Sequence, residues 1–136
     1  VPIDQQLTHL REVARQVAVI PAGNTERSRM EADFDQRLRA IVRTIAKRDG
    51  VAACFAVRDG HVVQSAGGML DYDALGDGCW TLVQTCATLA EQLGLGTPQQ
   101  ELLLGDVRKL AIIRVGPVML GIVAGAKTSL HAALYG

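Results

Sequence analysis

The stretch Leu70–Gly96, LDYDALGDGCWTLVQTCATLAEQLGLG, decides how the rest of the chain is read. From Asp71 onward it reads as one long helix between two β units. Leu75, Cys79, Leu82, Cys86, Leu89 and Leu93 recur alternately at four and three residues, so they share one helical face. A second stripe, Trp80, Val83, Ala87 and Ala90, runs beside it. Asp71, Asp73 and Asp77 are the candidate N-caps, and Gly76 and Gly78 weaken the first turn. Gly94, Gly96 and Pro98 stop the helix. Between Gly78 and Leu93 the one charged residue is Glu91, whereas a helix with a solvated face carries several. Two apolar stripes with so little charge imply cover on more than one side, by the helix's own sheet and by something else.

Upstream, Val51–Val57 (VAACFAV) is apolar at alternate and intervening positions alike, the mark of a central strand covered above and below. Asp59-Gly60 is a two-residue hairpin signal that sets Arg58 opposite His61 and Val57 opposite Val62. The returning strand, His61–Ala66, is more polar and suits a sheet edge. Downstream, Gln100–Leu104, Lys109–Val115 and Val118–Ala124 read as three strands divided by Gly105-Asp106 and Gly116-Pro117. The last is apolar on both faces like the first, so those two belong side by side in the middle of the sheet. A helix over residues 1–20, opened by Pro2, carries the stripe Ile3, Leu7, Leu10, Ala14 and Val17. Pro21, Gly23 and Asn24 break it, and a polar linker to Ser28 precedes a second helix, Met30–Lys47. Thr128 or Ser129 caps a short last helix, Leu130–Tyr135. The expected fold class is α+β: a five-stranded antiparallel sheet with the long helix on one face and the terminal helices on the other.

The 136 residues suffice for one domain, and 49% hydrophobic with 21% charged residues describes a globular chain. The formal net charge of zero offers no basic excess for nucleic acid or an anionic membrane. No apolar run has the length of a membrane span and no signal peptide stands at the start, so the expected location is the cytoplasm. Cys54, Cys79 and Cys86, an odd number set in apolar patterns, read as reduced, buried thiols. Cys79 and Cys86 share a face, which also suits a meeting with a partner's cysteines.

Chemistry-bearing motifs are sparse. Gly121–Thr128, GIVAGAKT, is one residue from a phosphate loop, but Ala126 stands where the second glycine is required. The chain also ends eight residues later, so a strand running into a capped helix is the better account. His9, His61 and His131 are dispersed and make no zinc spacing with the cysteines. There is no G-x-S-x-G and no local nucleophile–base pair. Asp71, Asp73 and Asp77 are what a helix start attracts electrostatically. Arg37, Arg39, Arg43 and Lys47 read as the solvated face of the second helix. No catalytic residue, metal or cofactor is expected.

The order of elements, Gly50-Val51 at the first strand, the Asp59-Gly60 turn, the Leu75–Leu93 helix and the meander LAIIRVGPVMLGIVAG together resemble the roadblock family of dynein light-chain-like domains. The resemblance spans about Phe34 to Leu134. It divides the chain into an N-terminal helix and linker, 1–28, outside the family pattern, and a roadblock-like domain, 29–136. The usual long closing helix is nearly absent here, and the first helix is a candidate to fill its place. The resemblance implies a dimer whose sheets join edge to edge with the long helices packed together. It further implies a non-enzymatic regulator or scaffold for a Ras-like small GTPase, as prokaryotic members are. Since one stripe suffices to cover the sheet, Trp80, Val83 and Ala87 are the expected homodimer contacts, with Leu102 and Leu104 on the edge strand. Arg58 and Arg108 are the exposed candidates for contact with a GTPase, although a dimer surface that orders the GTPase's own switch loops is the favoured mechanism. A profilin- or longin-like interaction domain and a small-molecule sensor are the alternative roles.

Overall fold

In the computed structural model, which describes residues 2–68 and 70–135, Asp59 and Gly60 both take positive φ, 52° and 81°. That is the backbone of a type I′ turn, whose twist matches the strands it joins. It joins β1 (Val51–Arg58) to β2 (His61–Gly67), with Val57 opposite Val62 and Arg58 opposite His61 as expected. The long helix α3 (Tyr72–Gln92) follows, then a meander of β3 (Gln100–Leu104), β4 (Arg108–Val115) and β5 (Val118–Gly125). All pairings are antiparallel, in the order β2-β1-β5-β4-β3. The two doubly apolar strands, β1 and β5, are neighbours inside the sheet, and every residue from Val118 to Ala124 is buried.

Alternate side chains of these strands feed two cores. On one face Cys54, Ala56, Leu120 and Ile122 pack against α1 (Ile3–Ala18), α2 (Thr25–Ala46) and α4 (Leu130–Tyr135). On the other, Ala53, Phe55, Val57 and Met119 pack under α3. Leu10, Leu38 and Ile45 are fully buried at the first interface, and each contributes about 1.5–3 kcal/mol by leaving water. The five-stranded α+β sandwich, with the long helix on one face and the terminal helices on the other, is the architecture the patterning requires.

Three local features sharpen or correct that reading. α2 begins at Thr25, five residues before the expected start, so the polar stretch to Ser28 is helix and only residues 19–24 connect α1 to α2. Asn24 caps it by accepting from the Glu26 N–H at 2.8 Å, and Arg27–Glu31 and Arg29–Glu26 pairs line its first turns. Asp71 is the cap of α3, accepting from the Ala74 N–H at 3.1 Å, and Ser129 caps α4 through the Ala132 N–H. Gly121 on β5 lies under the Phe55 ring, so closely that a Cβ there would stand 2.4 Å from Cζ. Val1 of the expected first helix and Gly136 of the expected 29–136 domain lie outside the described residues.

Candidate functional site

The direction of α3 is set by its smallest residues. Gly76, Cys79, Val83 and Ala90 are buried toward the sheet. A Cβ at Gly76 would lie 3.0 Å from the Gly60 carbonyl oxygen, so glycine lets the helix approach the hairpin turn. The helix rests mainly on β2 and β1. Trp80 packs beside the same turn, its indole 3.7 Å from where a Gly60 Cβ would be. The expected orientation is therefore corrected. Val83 belongs to the sheet-facing stripe and is buried within the protomer, Ala87 is half-buried, and of the three only Trp80, 40% exposed, is substantially open. The leucine stripe lies at the margin of that contact: Cys79 is buried, Leu75 and Leu82 are half-buried against the same core, Cys86 is half-buried, and Leu89 and Leu93 are exposed.

Because α3 sits over β2 and β1, the β4–β3 half of that sheet face is open. An apolar groove of about 500 Å³ runs between Leu75, Cys79 and Leu82 of α3 and Leu103 and Leu110 of the strands. Leu103 and Leu110 are cross-strand partners, and β3 has no neighbour on its outer side. Leu102 and Leu104 are also exposed, the latter at 72%. They pair with Ala111 and Lys109, and strand alternation puts them on the opposite face from Leu103. The expected contacts thus do not form one surface: Trp80 stands over the hairpin, and Leu102 and Leu104 lie across the sheet.

One buried ion pair anchors the edge strand. Glu101, 7% exposed, holds Arg114 of β4 through Oε1 and Nη2 at 3.0 Å, while its Oε2 has no partner. Arg114 also donates from Nε to the Pro98 carbonyl at 2.5 Å. Neither residue was legible as a pair, since they are joined only by the register of β3 on β4.

Of the two arginines expected to be exposed, Arg108 is so, at the start of β4. Arg58 is corrected to half-buried: its guanidinium lies 5.9 Å over the Phe34 ring and Nη2 is 3.7 Å from Asp35. It is folded back onto α2 and is not extended from the hairpin.

Burial pushes the Cys54 thiol up to about 12 and the Cys79 thiol up to about 11, so both are protonated and unreactive at neutral pH. Among the described residues no three of His, Cys, Asp and Glu are placed to hold a metal ion. The near-phosphate-loop segment is a strand and a capped turn: Thr128 Oγ1 donates to the Gly50 carbonyl at 3.4 Å, and Lys127 is exposed. Among the described residues no helix is long and apolar enough to cross a membrane.

No protein-family model and no curated protein sequence matches the chain. Solved structures do. MglB of Myxococcus xanthus is 23% identical with a TM-score of 0.66, over 71% of this chain and 82% of its own. A roadblock/LC7 domain of Streptomyces avermitilis is 17% identical, TM-score 0.60, over 66% and 78%. The gliding protein MglB of Thermus thermophilus is 20% identical, TM-score 0.58, over 65% and 71%. At these identities the likeness is one of fold, and the chain has the roadblock/LC7 fold.

Proposed function

We propose that the protein is a non-catalytic homodimer that regulates or scaffolds a Ras-like small GTPase. The observation that carries this reading is the unfilled apolar groove between α3 and β3–β4, next to an unpaired strand edge. An exposed apolar surface of that kind is a liability in a monomer. In a two-fold dimer, a second α3 fills the groove with its own leucine stripe while the β3 edges pair, and one operation covers both. An MglB with a tetrameric arrangement is also similar to this chain, at 19% identity and a TM-score of 0.64 over 72% of this chain and 77% of its own. The GTPase enters from the roadblock resemblance, an argument from fold to role. We further propose that 1–28 is an appended segment and 29–136 the roadblock-like unit, with α1 in the place of the long closing helix. Packing of α1 on α2 and α4, all on one face of the sheet, supports that reading.

For a role in hydrolysis, the tied-back Arg58 favours a mechanism in which the dimer surface orders the GTPase's switch loops over one in which an arginine is inserted in trans. Single-turnover GTP hydrolysis by a Ras-like GTPase of the source organism, with wild type, Arg58→Ala and Arg108→Ala, tests it. Retained stimulation in both variants is expected. An arginine finger contributes a factor of about 1,000 or more, so a loss of that size with binding intact refutes switch ordering.

A further inference from the structure

The proposed dimer occupies the β3 edge of the sheet and leaves the opposite edge, β2, open. Among the described residues, no backbone hydrogen bond outside the β1 ladder reaches His61–Gly67, so the outward N–H and C=O groups of β2 are unpaired. The sequence of β2, HVVQSAG, has no Lys, Arg, Asp, Glu or Pro, the residues that commonly blunt an edge. It has one bulge: Ala56 pairs with Gln64 and Val57 with Val62, so Val63 is unmatched and stands 46% exposed. Beyond the bulge, residues 64–67 run in regular register with residues 53–56.

α3 borders this edge with a flank unlike its groove side. Leu75, Cys79 and Leu82 line the groove toward β3. The helical turn of about 100° per residue puts Asp73, Asp77 and Trp80 on the opposite flank. Contacts fix its direction: Trp80 lies beside Gly60, and Gly76 lies against the Gly60 carbonyl and Val62. Asp59 and Asp77 adjoin the two glycines that meet there. Asp59, Asp73 and Asp77 are exposed and, among the described residues, their carboxylates take part in no hydrogen bond or ion pair. No cation answers them. Arg58 is folded back onto α2, and Arg39 lies on the α2 side of β2, donating from Nε to Gln64 Oε1 at 3.4 Å.

We propose that the β2 edge takes an extended, basic segment of a partner protein as a sixth strand, with an Arg or Lys side chain set on the Trp80 indole beside Asp59 and Asp77. In strand addition the backbone ladder supplies affinity and the alternate side chains supply specificity. Asp73 and Asp77 are about 6 Å apart along the helix axis, and alternate residues of a strand are about 7 Å apart. Basic residues at every second position therefore meet both carboxylates, and the indole face adds a cation–π contact. The residues between them turn to the α2 side, where Arg39 disfavours a second row of cations. A second copy of β2 does not fit, because HVVQSAG brings no Lys or Arg to the carboxylates.

Trp80 is the one tryptophan of the chain, so its emission reports on the site directly. Titration of the full chain with a Trp-free peptide of about eight residues, alternating Arg and Thr, tests the proposal. The expected result is a saturable change in Trp80 emission that weakens as salt rises from about 0.05 to 0.5 M. A Glu–Thr peptide, and an Arg–Thr peptide N-methylated along its backbone, should each bind at least about tenfold more weakly. Asp77→Asn and Trp80→Ala, the latter read by anisotropy of a labelled peptide, should each lower affinity about tenfold. Asp77 is an exposed helix residue, so that variant folds whatever Trp80→Ala does. Asp106→Asn, exposed between β3 and β4, should bind as wild type. No binding of the Arg–Thr peptide, binding without a change in Trp80 emission, equal binding of the methylated peptide, or equal loss in Asp106→Asn and Asp77→Asn overturns the proposal. So does full displacement by millimolar arginine amide, which would make this a site for a single cation. Growth of the chain alone beyond a dimer that Val63→Lys reverses would give the edge to a second copy and overturns it as well.

Discussion

Gly121→Ala adds a single methyl group in the middle of β5, directly beneath the Phe55 ring. The new Cβ would stand 2.4, 2.6 and 2.8 Å from three ring carbons, where carbon atoms pack at about 3.5–4.0 Å. The ring must retreat by about 1 Å. It has little room, being fully buried and edge-on to Tyr72 with centroids 6.1 Å apart. Overpacking of a closed core costs about 1–3 kcal/mol, and the lower chain entropy of alanine in the unfolded state returns about 0.5 kcal/mol. The net loss is about 0.5–2.5 kcal/mol, centred near 1.5 kcal/mol. Urea unfolding followed by circular dichroism at fixed protein concentration should show the midpoint falling by about 0.5–1 M with an unchanged slope. Phe55→Leu in the same chain should remove most of that penalty, although alone it leaves a void and costs about 1 kcal/mol or more. A Gly121→Ala midpoint at or above wild type, or a penalty that Phe55→Leu does not relieve, would refute the account of this glycine. The same experiment bears on GIVAGAKT, whose first glycine is then required by an aromatic ring and not by a phosphate.

Leu82→Asp places a charge in the α3 groove and should convert the proposed dimer to monomer, read by light scattering across a dilution series. A wild type that is already monomeric at micromolar concentration contradicts the assembly. Arg114→Met strands the buried Glu101 carboxylate and should cost about 3 kcal/mol in urea unfolding, whereas a fully solvated pair would cost under about 1 kcal/mol. The cysteines predict a pH dependence. In the unfolded chain the thiols ionise near their ordinary value of 9.0, but in the folded protein Cys54 and Cys79 hold their protons to about 12 and 11. The folded state then binds more protons above pH 9.0, so this contribution to stability is full below that pH and is lost as pH rises toward 11 and 12. Thiol labelling of the native protein at neutral pH should modify Cys86 first, and labelling of all three at one rate would contradict the burial.

The parts of the fold legible in the sequence were those with a local cause. Asp59-Gly60 fixed its hairpin and register because only residues that tolerate positive φ make a type I′ turn. β1 and β5 identified themselves as inner neighbours by being apolar on both faces. The start of α2 was missed because TERSR has no apolar periodicity, although Asn24 two residues before Glu26 was a cap in plain view. The rotation of α3 was missed for a different reason. Periodicity finds stripes but not their direction, and the larger leucines drew attention from the smaller residues that permit close packing on the sheet. Gly76 between the stripes was the signal. The Glu101–Arg114 pair depends on the register of β3 on β4, which no single stretch records.

The central claim is a dimer that engages a Ras-like GTPase through its surface, without an active site of its own. Sedimentation velocity tests it most directly, with the chain alone and mixed with a Ras-like GTPase of the source organism loaded with GDP or with a non-hydrolysable GTP analogue. The account predicts that the chain alone sediments as a dimer of 14.5 kDa subunits and shifts to a heavier species with the GTPase in one nucleotide state more than the other. A monomer that co-sediments with neither form would contradict it.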